Sequence, residues 1–504
     1  LLTLSTSDRY INHKHLYTIT RIELFSIPLS LRPVRDIKTT ATQLKALIKY
    51  RNALVEGNRK EYGNQYDTLQ WVGYYEGMEM ENQRAQLLES LEDAIQWEFH
   101  NTKTDATRLS PGCRLCGQGQ WSCLFINGKC NCNCFYCPTS QNDISLPETQ
   151  TLTFDDPMTY VAYIKKFGFK GISFSGGEPF LTFDRVRNFL TVIRRELPAD
   201  IYVWMYTNGT RVTREHLEEL RDLGLNEIRY DIGATDYNLK PVKQAIGIIP
   251  TVTVEIPAVP DELETLKQCV KELAEAGLSH MNLHQMRLTP YNLPRLSERG
   301  YTFAHGARVT VPASEMAALE ILRFTKENHI DLPINYCSFV FKNRFQKSGL
   351  RKKIAPFALT ENDQVTENGY IRRLWTPLTP DLETLASSVN ADIDRDKQQL
   401  VFDFEAIETL RPQLTTIHVS YTDVRFNSHA KETDQMIAVP LNEQRTLYIE
   451  TANVTGTPTL TAGQFDLFGR ITRNEASLDE VADDEMLFAI WQYECIEKGL
   501  SEIY

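Results

Sequence analysis

An α/β fold built on an incomplete (β/α)6 barrel, with an N-terminal helical region and a small C-terminal α+β domain, is what this sequence predicts. Between residues 109 and 345 short apolar runs alternate with amphipathic stretches, the pattern of right-handed crossovers over a parallel sheet. Residues 1–108 instead space their apolar side chains by three and four, as helices do. After a basic stretch, residues 346–504 return to strand-like runs and close on an acidic, helical tail.

In chain order, the first region holds helices at 41–52 and 78–100, the second with Leu87, Leu88, Leu91, Ala94 and Ile95 on one face. Six strands are expected in the barrel: 122–126, 171–175, 201–206, 227–232, 252–256 and 280–284. Helices at 157–167, 183–196, 214–222, 263–276 and 313–328 follow or separate them. Lys342, Arg344, Lys347, Arg351, Lys352 and Lys353 form the basic stretch, read as a solvated face or, beside an active site, as a holder of an anionic substrate or cofactor. Beyond it come strands at 400–404, 415–420, 436–439 and 446–450, then a helix at 485–498.

Composition narrows the functional classes. Lys plus Arg number 54 against 66 Asp plus Glu, a net charge of −12 over 504 residues, which argues against a phosphate-binding surface and thus against nucleic acid. No run reaches the roughly 18 apolar residues of a membrane span. Asp8, Arg9, His13, Lys14, His15, Arg21 and Glu23 interrupt the first stretch, so no signal-peptide core is visible and a cytoplasmic enzyme is expected. The opening Leu1 leaves room for a missing upstream piece.

Seven of the 10 cysteines fall between residues 113 and 137. Clustered thiols in a large chain point to metal ligation rather than to a disulfide framework. Within the string CNCNCFYCP, Cys130, Cys134 and Cys137 stand in a Cys-x3-Cys-x2-Cys spacing, with Tyr136 before the last. Three thiolates so placed can hold three irons of a cubane [4Fe-4S] cluster and leave the fourth without a protein ligand. One βα unit later stands Ser175-Gly176-Gly177-Glu178-Pro179, a turn at the carboxyl end of a strand, where backbone can approach a ligand closely.

Together with the strand-end string Tyr206-Thr207-Asn208-Gly209, these residues resemble the radical S-adenosylmethionine (SAM) superfamily over roughly residues 122–340. The resemblance implies that Cys130, Cys134 and Cys137 hold a [4Fe-4S] cluster whose unique iron chelates SAM. It also implies reductive cleavage of SAM to a 5′-deoxyadenosyl radical. Position by position, Gly176, Gly177 and Glu178, in the turn closed by Pro179, would meet the methionine end. Tyr136 would pack beside the adenine, and Thr207 and Asn208 would stand among the cofactor contacts. Asp231 is the candidate ribose contact, with a strand-end structural role as the alternative, and Glu255 or His284 would line the substrate side. A reductant protein of flavodoxin or ferredoxin type is the implied partner.

Four thiols remain: Cys113, Cys116, Cys123 and Cys132. Four is the number a tetrahedral zinc or mononuclear iron site takes. A second iron-sulfur cluster, or a site with Cys337 in place of Cys132, is the alternative. The string GCRLCGQGQWSCLF is also similar to a cysteine-rich subgroup of the superfamily that includes the cobalamin-dependent arginine methyltransferase of methyl-coenzyme M reductase. Cobalamin would then have to bind residues 355–504, because no cobalamin-binding domain is visible in 1–108. The expected function is C–H functionalisation, with methylation or another modification of a protein or peptide foremost. Small-molecule or cofactor biosynthesis, or a non-catalytic metal-binding or electron-transfer role, is the alternative.

Overall fold

The computed structural model describes residues 45–104, 108–428 and 436–503. Seven parallel strands, not six, form the central sheet, side by side in chain order: β1 (Trp121–Lys129), β2 (Gly171–Gly176), β3 (Tyr202–Thr207), β4 (Glu227–Tyr230), β5 (Thr251–Pro257), β6 (His280–His284) and β7 (Ile334–Cys337). The unexpected β7 is only four residues long and follows Pro333, too short a run for a periodicity to show. It pairs with β6, and the sheet remains an open, partial barrel.

In the N-terminal region, α1 (Lys45–Tyr62) accounts for the helix expected at 41–52, of which residues 41–44 lie outside the described residues. The next helix, α2 (Tyr74–Leu91), ends well before residue 100. Trp97–Glu98 instead pairs antiparallel with Lys103–Thr104 around left-handed Phe99, His100 and Asn101. Lys103 then pairs with Cys337 of β7, so this hairpin edges the barrel sheet. A short helix, α3 (Pro111–Gly117), precedes β1.

The outer layer comprises α4 (Pro157–Phe167), α5 (Phe183–Glu196), α6 (Arg214–Asp222), α7 (Lys240–Ala245), α8 (Leu263–Glu275) and α9 (Pro312–Glu327). Their limits follow from local chemistry. At the start of α4, Asp156 accepts the Thr159 N–H at 2.8 Å and Pro157 opens the first turn. Gly168, at φ 63°, ends it in the left-handed conformation.

Strand alternation decides what faces inward. Leu124, Phe174, Met205, Ile228, Val254 and Leu283 are buried against the helices. Their neighbours Cys123, Ser175, Tyr206, Arg229, Glu255 and His284 occupy the opposite face. The core is therefore a ring between sheet and helices, and the lumen is polar.

Residues 346–504 carry an antiparallel sheet of Ala391–Asp394, Gln399–Phe402, Ile371–Pro377, Thr416–Asn427, Arg445–Asn453 and Met436–Asn442 in that spatial order. Its central strand, Ile371–Pro377, carries two arginines in the string IRRLWTP and was not expected. The last long helix is Glu485–Glu494, shorter than the 485–498 expected. No helix among the described residues is long and apolar enough to cross a membrane.

Candidate active site

The cysteine loop begins where β1 ends. Cys130 N–H donates to the Gln141 carbonyl at 3.0 Å, and Cys137 N–H to the Cys134 carbonyl at 3.1 Å. A segment after β6, which the sequence reading missed, cradles this loop. Thr289 Oγ1 donates to the Pro138 carbonyl (2.9 Å), Asn292 Nδ2 to that of Tyr136 (3.2 Å) and Arg295 Nη1 to that of Cys134 (2.9 Å). Backbone recognition of this kind leaves no pattern in the sequence.

The glycine turn at the end of β2 is zipped to the end of β1. Gly177 N–H donates to the Asn127 carbonyl (2.9 Å) and Glu178 N–H to the Lys129 carbonyl (2.7 Å). Gly176 sits at φ +111°, and a Cβ on Gly177 would lie 1.9 Å from the Lys129 carbonyl oxygen. Only glycine allows this approach.

Glu178 turns its carboxylate into the wall. Its Oε1 accepts from Thr207 Oγ1 (2.8 Å) and Phe180 N–H (3.1 Å), and its Oε2 from Asn208 N–H (2.7 Å). Burial pushes this carboxyl up while the hydrogen bonds pull it down. The group ties β2 to β3. Asn208 Nδ2 reaches Asn131 Oδ1 (3.0 Å) and Cys130 Sγ (3.6 Å). Pro179 and Thr207 are buried behind this wall, and Thr207 bonds to it through Glu178.

Tyr136 and Asp231, assigned separately from the sequence, meet. The Tyr136 hydroxyl donates to Asp231 Oδ1 at 2.8 Å. Burial pushes the Asp231 carboxyl up to about 6, against the hydrogen bonds from Tyr136, Ala234 and Gly233.

Deeper in the lumen, Arg229 of β4 is almost wholly buried and joins its own strand to β5 and to the start of α3. Its guanidinium donates to Glu227 Oε1 (2.8 Å), Glu255 Oε2 (2.7 Å) and Ser110 Oγ (3.0 Å). Glu255 also accepts from Asn282 Nδ2 at 3.0 Å. Burial would raise the Glu255 carboxyl, but Arg229, then His284 and Lys342, hold it at about 2. His284 Nδ1 lies 3.2 Å from Lys342 Nζ, so it accepts from the ammonium and leaves the ring proton on Nε2. Burial first, then Lys342, lowers His284 to about 3.

Cys130, Cys134, Cys137, Tyr136, Gly176 and Asp231 line one cavity of about 650 Å³, together with Gly177, Glu178, Asn208, Glu255 and His284. The expected site residues, apart from Pro179, Thr207, Cys113, Cys116 and Cys123, converge there, Cys132 among them.

The second thiol set does not assemble. Cys113 and Cys116 lie on α3, before β1, while Cys132 lies beyond its far end, and a nine-residue strand spans roughly 25 Å. Cys116 sits among Lys103, Cys337 and Gln346, Cys123 against Ser173 and Ser175, and Cys132 beside Cys130 and Glu178. Exchanging Cys132 for Cys337 gathers thiols around the buried Lys103. Even so, no group of three or more His, Cys, Asp or Glu among the described residues is arranged to hold a single metal ion.

An open parallel barrel whose first strand runs into a three-cysteine loop, and whose second ends in a glycine turn against it, defines a class of cluster-binding α/β protein. Residues 124–283 match the family model described as Radical SAM superfamily, and the chain carries a radical SAM domain of that superfamily. It is 29% identical over 281 residues, 53% of this chain and 73% of the relative, to a Methanocaldococcus jannaschii protein named as a glycyl-radical enzyme activating enzyme. It is 26% identical, over 37% of this chain and 52% of the relative, to a Methanococcus aeolicus protein named as a GTP 3′,8-cyclase. The chain thus spans about half the length of that second relative. Among solved structures, Streptococcus suis SuiB matches with TM-score 0.31 at 13% identity, over 43% of this chain and 49% of that one. The radical SAM methyltransferase TsrM of Kitasatospora setae matches with TM-score 0.28 at 15% identity, over 37% and 40%.

The superfamily implies a [4Fe-4S] cluster and SAM. The residues present fit that pair: three thiols without disulfides share one cavity wall with a glycine turn whose backbone lies tight against Lys129, the residue before Cys130. A cubane takes one thiolate per iron, so its cysteines need not converge on one point as the ligands of a single ion must.

Proposed function

We propose that this chain is a radical SAM enzyme that functionalises an unactivated C–H bond of a protein or peptide. The observation that carries the reading is the shared cavity. The three cysteines of one loop, the Gly176–Gly177 turn and the Tyr136–Asp231 pair all line it.

When bound, the cluster would supply the electron that cleaves SAM to methionine and a 5′-deoxyadenosyl radical. Cys130, Cys134 and Cys137 would hold it. The backbone of Gly176 and Gly177 would pass close to the methionine end, and Asp231, only half-buried, would keep a lone pair for a ribose hydroxyl besides those that meet Tyr136, Gly233 and Ala234. Glu178 would position rather than touch, because its carboxylate already accepts three hydrogen bonds. Glu255 and His284 would line the substrate side, their charges settled by Arg229 and Lys342. The lumen is closed from below by α3, where Gly112 packs against the guanidinium of Arg229. That closure would keep stray hydrogen donors away from the reacting centre. A polypeptide substrate is supported by a second cleft of about 420 Å³ that shares lining residues with the cavity and reaches between α1 and the C-terminal region.

The test is anaerobic reconstitution with iron and sulfide, addition of SAM and a strong reductant such as dithionite, and mass spectrometry of 5′-deoxyadenosine. Its formation by the parent chain and disappearance in Cys134→Ala are expected. A cluster-loaded protein that yields none would overturn the reading. S-adenosylhomocysteine formed only with added cobalamin would extend it to methyl transfer.

A further inference from the structure

The cavity is lopsided in charge. Across the barrel mouth from the glycine turn, the chain after β6 and β7 places Arg287, Arg308, Lys342 and Lys347 on its wall. The acids that line the cavity and the cleft beside it are engaged by other partners, as Asp231 is by Tyr136, Glu315 by Arg84 and Glu497 by Arg344. Glu255 is engaged by Arg229 and Asn282. Glu61 stands 3.7 Å from Arg308, and Asp423 attracts Lys347 from the C-terminal sheet.

Lys342 is occupied by His284. The other three cations are poorly satisfied. Arg287 has a buried Nε without a partner and lies over the Phe339 ring at 5.4 Å. Lys347 has no hydrogen-bond or ion-pair partner among the described residues. Burial lowers Lys347, and Arg308, Arg351 and Arg287 then press it down further, while Arg308 does the same to Arg287. Like charges gathered at a partly desolvated wall are stable only if something neutralises them, and two guanidiniums with an ammonium match an oxyanion.

Position adds a second observation. Gln285, Arg308, Phe339, Asn343 and Lys347 line both the cysteine cavity and the second cleft. An anion seated there would lie at the junction, with the rest of its molecule free to extend either way.

We propose that Arg287, Arg308 and Lys347 form an oxyanion site that seats a carboxylate or phosphate of the substrate where the two spaces meet. This rests on the radical SAM reading of the same cavity. The site would set register: the anion anchors the substrate, and the distance from it to the cysteine loop selects which C–H bond is presented.

The experiment is calorimetric titration of the cluster-loaded full chain at low salt with two probes, inorganic pyrophosphate and a hexaglutamate peptide, each with and without saturating SAM. At least one probe binds, SAM does not displace it, and Lys347→Gln or Arg308→Gln weakens it about tenfold or more, as loss of a charge-assisted hydrogen bond would. Lys347→Arg restores most of the affinity. Binding of pyrophosphate alone marks a phosphate-bearing substrate, and binding of the peptide alone a carboxylate-bearing one. The site is refuted if neither probe binds, if the variants bind like the parent, or if SAM displaces the probe, since the cations would then serve the cofactor's own carboxylate. Deoxyadenosine from the parent chain reports separately on the cofactor reading, so a failure there with anion binding intact counts against that reading and not against the site.

Discussion

The phenol of Tyr136 donates to Asp231 Oδ1 at 2.8 Å, tethering the cysteine loop to the residue just past β4. The bond joins two parts of the site that are 95 residues apart in sequence. Removing the hydroxyl in Tyr136→Phe leaves a buried carboxylate short of a donor, at about 1–3 kcal/mol. In Asp231→Asn the amide oxygen can still accept from Tyr136, but the N–H₂ then faces the Gly233 and Ala234 N–H groups, so the loss should be at least as large. Urea unfolding of both variants checks this, and a Tyr136→Phe that unfolds like the parent would mean that the hydroxyl does not stabilise the carboxylate.

Glu178 should tolerate no isostere. A glutamine there presents an N–H₂ to one of the donors, either the Asn208 N–H or the Thr207–Phe180 pair, that the carboxylate now satisfies. Glu178→Gln should therefore cost about 1.5–3 kcal/mol, the range for hydrogen bonds to a charged group. It should also loosen the Asn208 contact to Cys130. The measurement is unfolding free energy together with iron retained after gel filtration; a variant matching the parent in both would remove Glu178 from its positioning role.

At Gly177 the added methyl of alanine would collide with the Lys129 carbonyl oxygen, one residue before Cys130. Gly177→Ala should cost about 1–3 kcal/mol through overpacking and lower the iron bound on reconstitution. Gly57, inside α1 with nothing within 4 Å of its Cβ position, is the control. Gly57→Ala should be neutral or stabilising by up to about 1 kcal/mol.

The dispersed thiols predict a metal stoichiometry. The parent chain should take up about four irons, one cubane's worth, and Cys113→Ser/Cys123→Ser should retain them. Cys130→Ala, Cys134→Ala or Cys137→Ala should each lose the cluster absorbance. A second stoichiometric metal that the double variant lacks would mean that those thiols rearrange on binding.

Acid should act through the lumen. Glu255 titrates near 2 in the folded chain, against about 4.3 unfolded. The unfolded state therefore binds more protons between those values, and stability falls as pH drops through that window. His284, at about 3 folded against about 6.5 unfolded, acts in the same direction from a higher starting pH. Glu255 should thus contribute roughly 3 kcal/mol at neutral pH. Denaturant unfolding between pH 7 and 3 should show a shallower acid limb in Glu255→Gln than in the parent; parallel limbs would exclude Glu255 as the group responsible.

What the sequence determined by itself was local or periodic: the alternation of strands and helices, the Cys130-x3-Cys134-x2-Cys137 spacing and the Gly176–Gly177 turn. Each is written in consecutive residues, because a helix face, a ligand loop and a tight turn are short-range objects. Tertiary structure alone decided the pairings. It turned Glu178 into the wall, gave Tyr136 to Asp231, and brought Thr289, Asn292 and Arg295 under the cysteine loop. It also separated Cys113, Cys116, Cys123 and Cys132, which the sequence had grouped, because β1 runs between the first pair and the last thiol. The strand Ile371–Pro377 and the lumen network around Arg229 stayed hidden for the same reason: Arg372 is satisfied by Glu494 and Arg229 in part by Glu255 and Ser110, and only the fold shows where those partners stand.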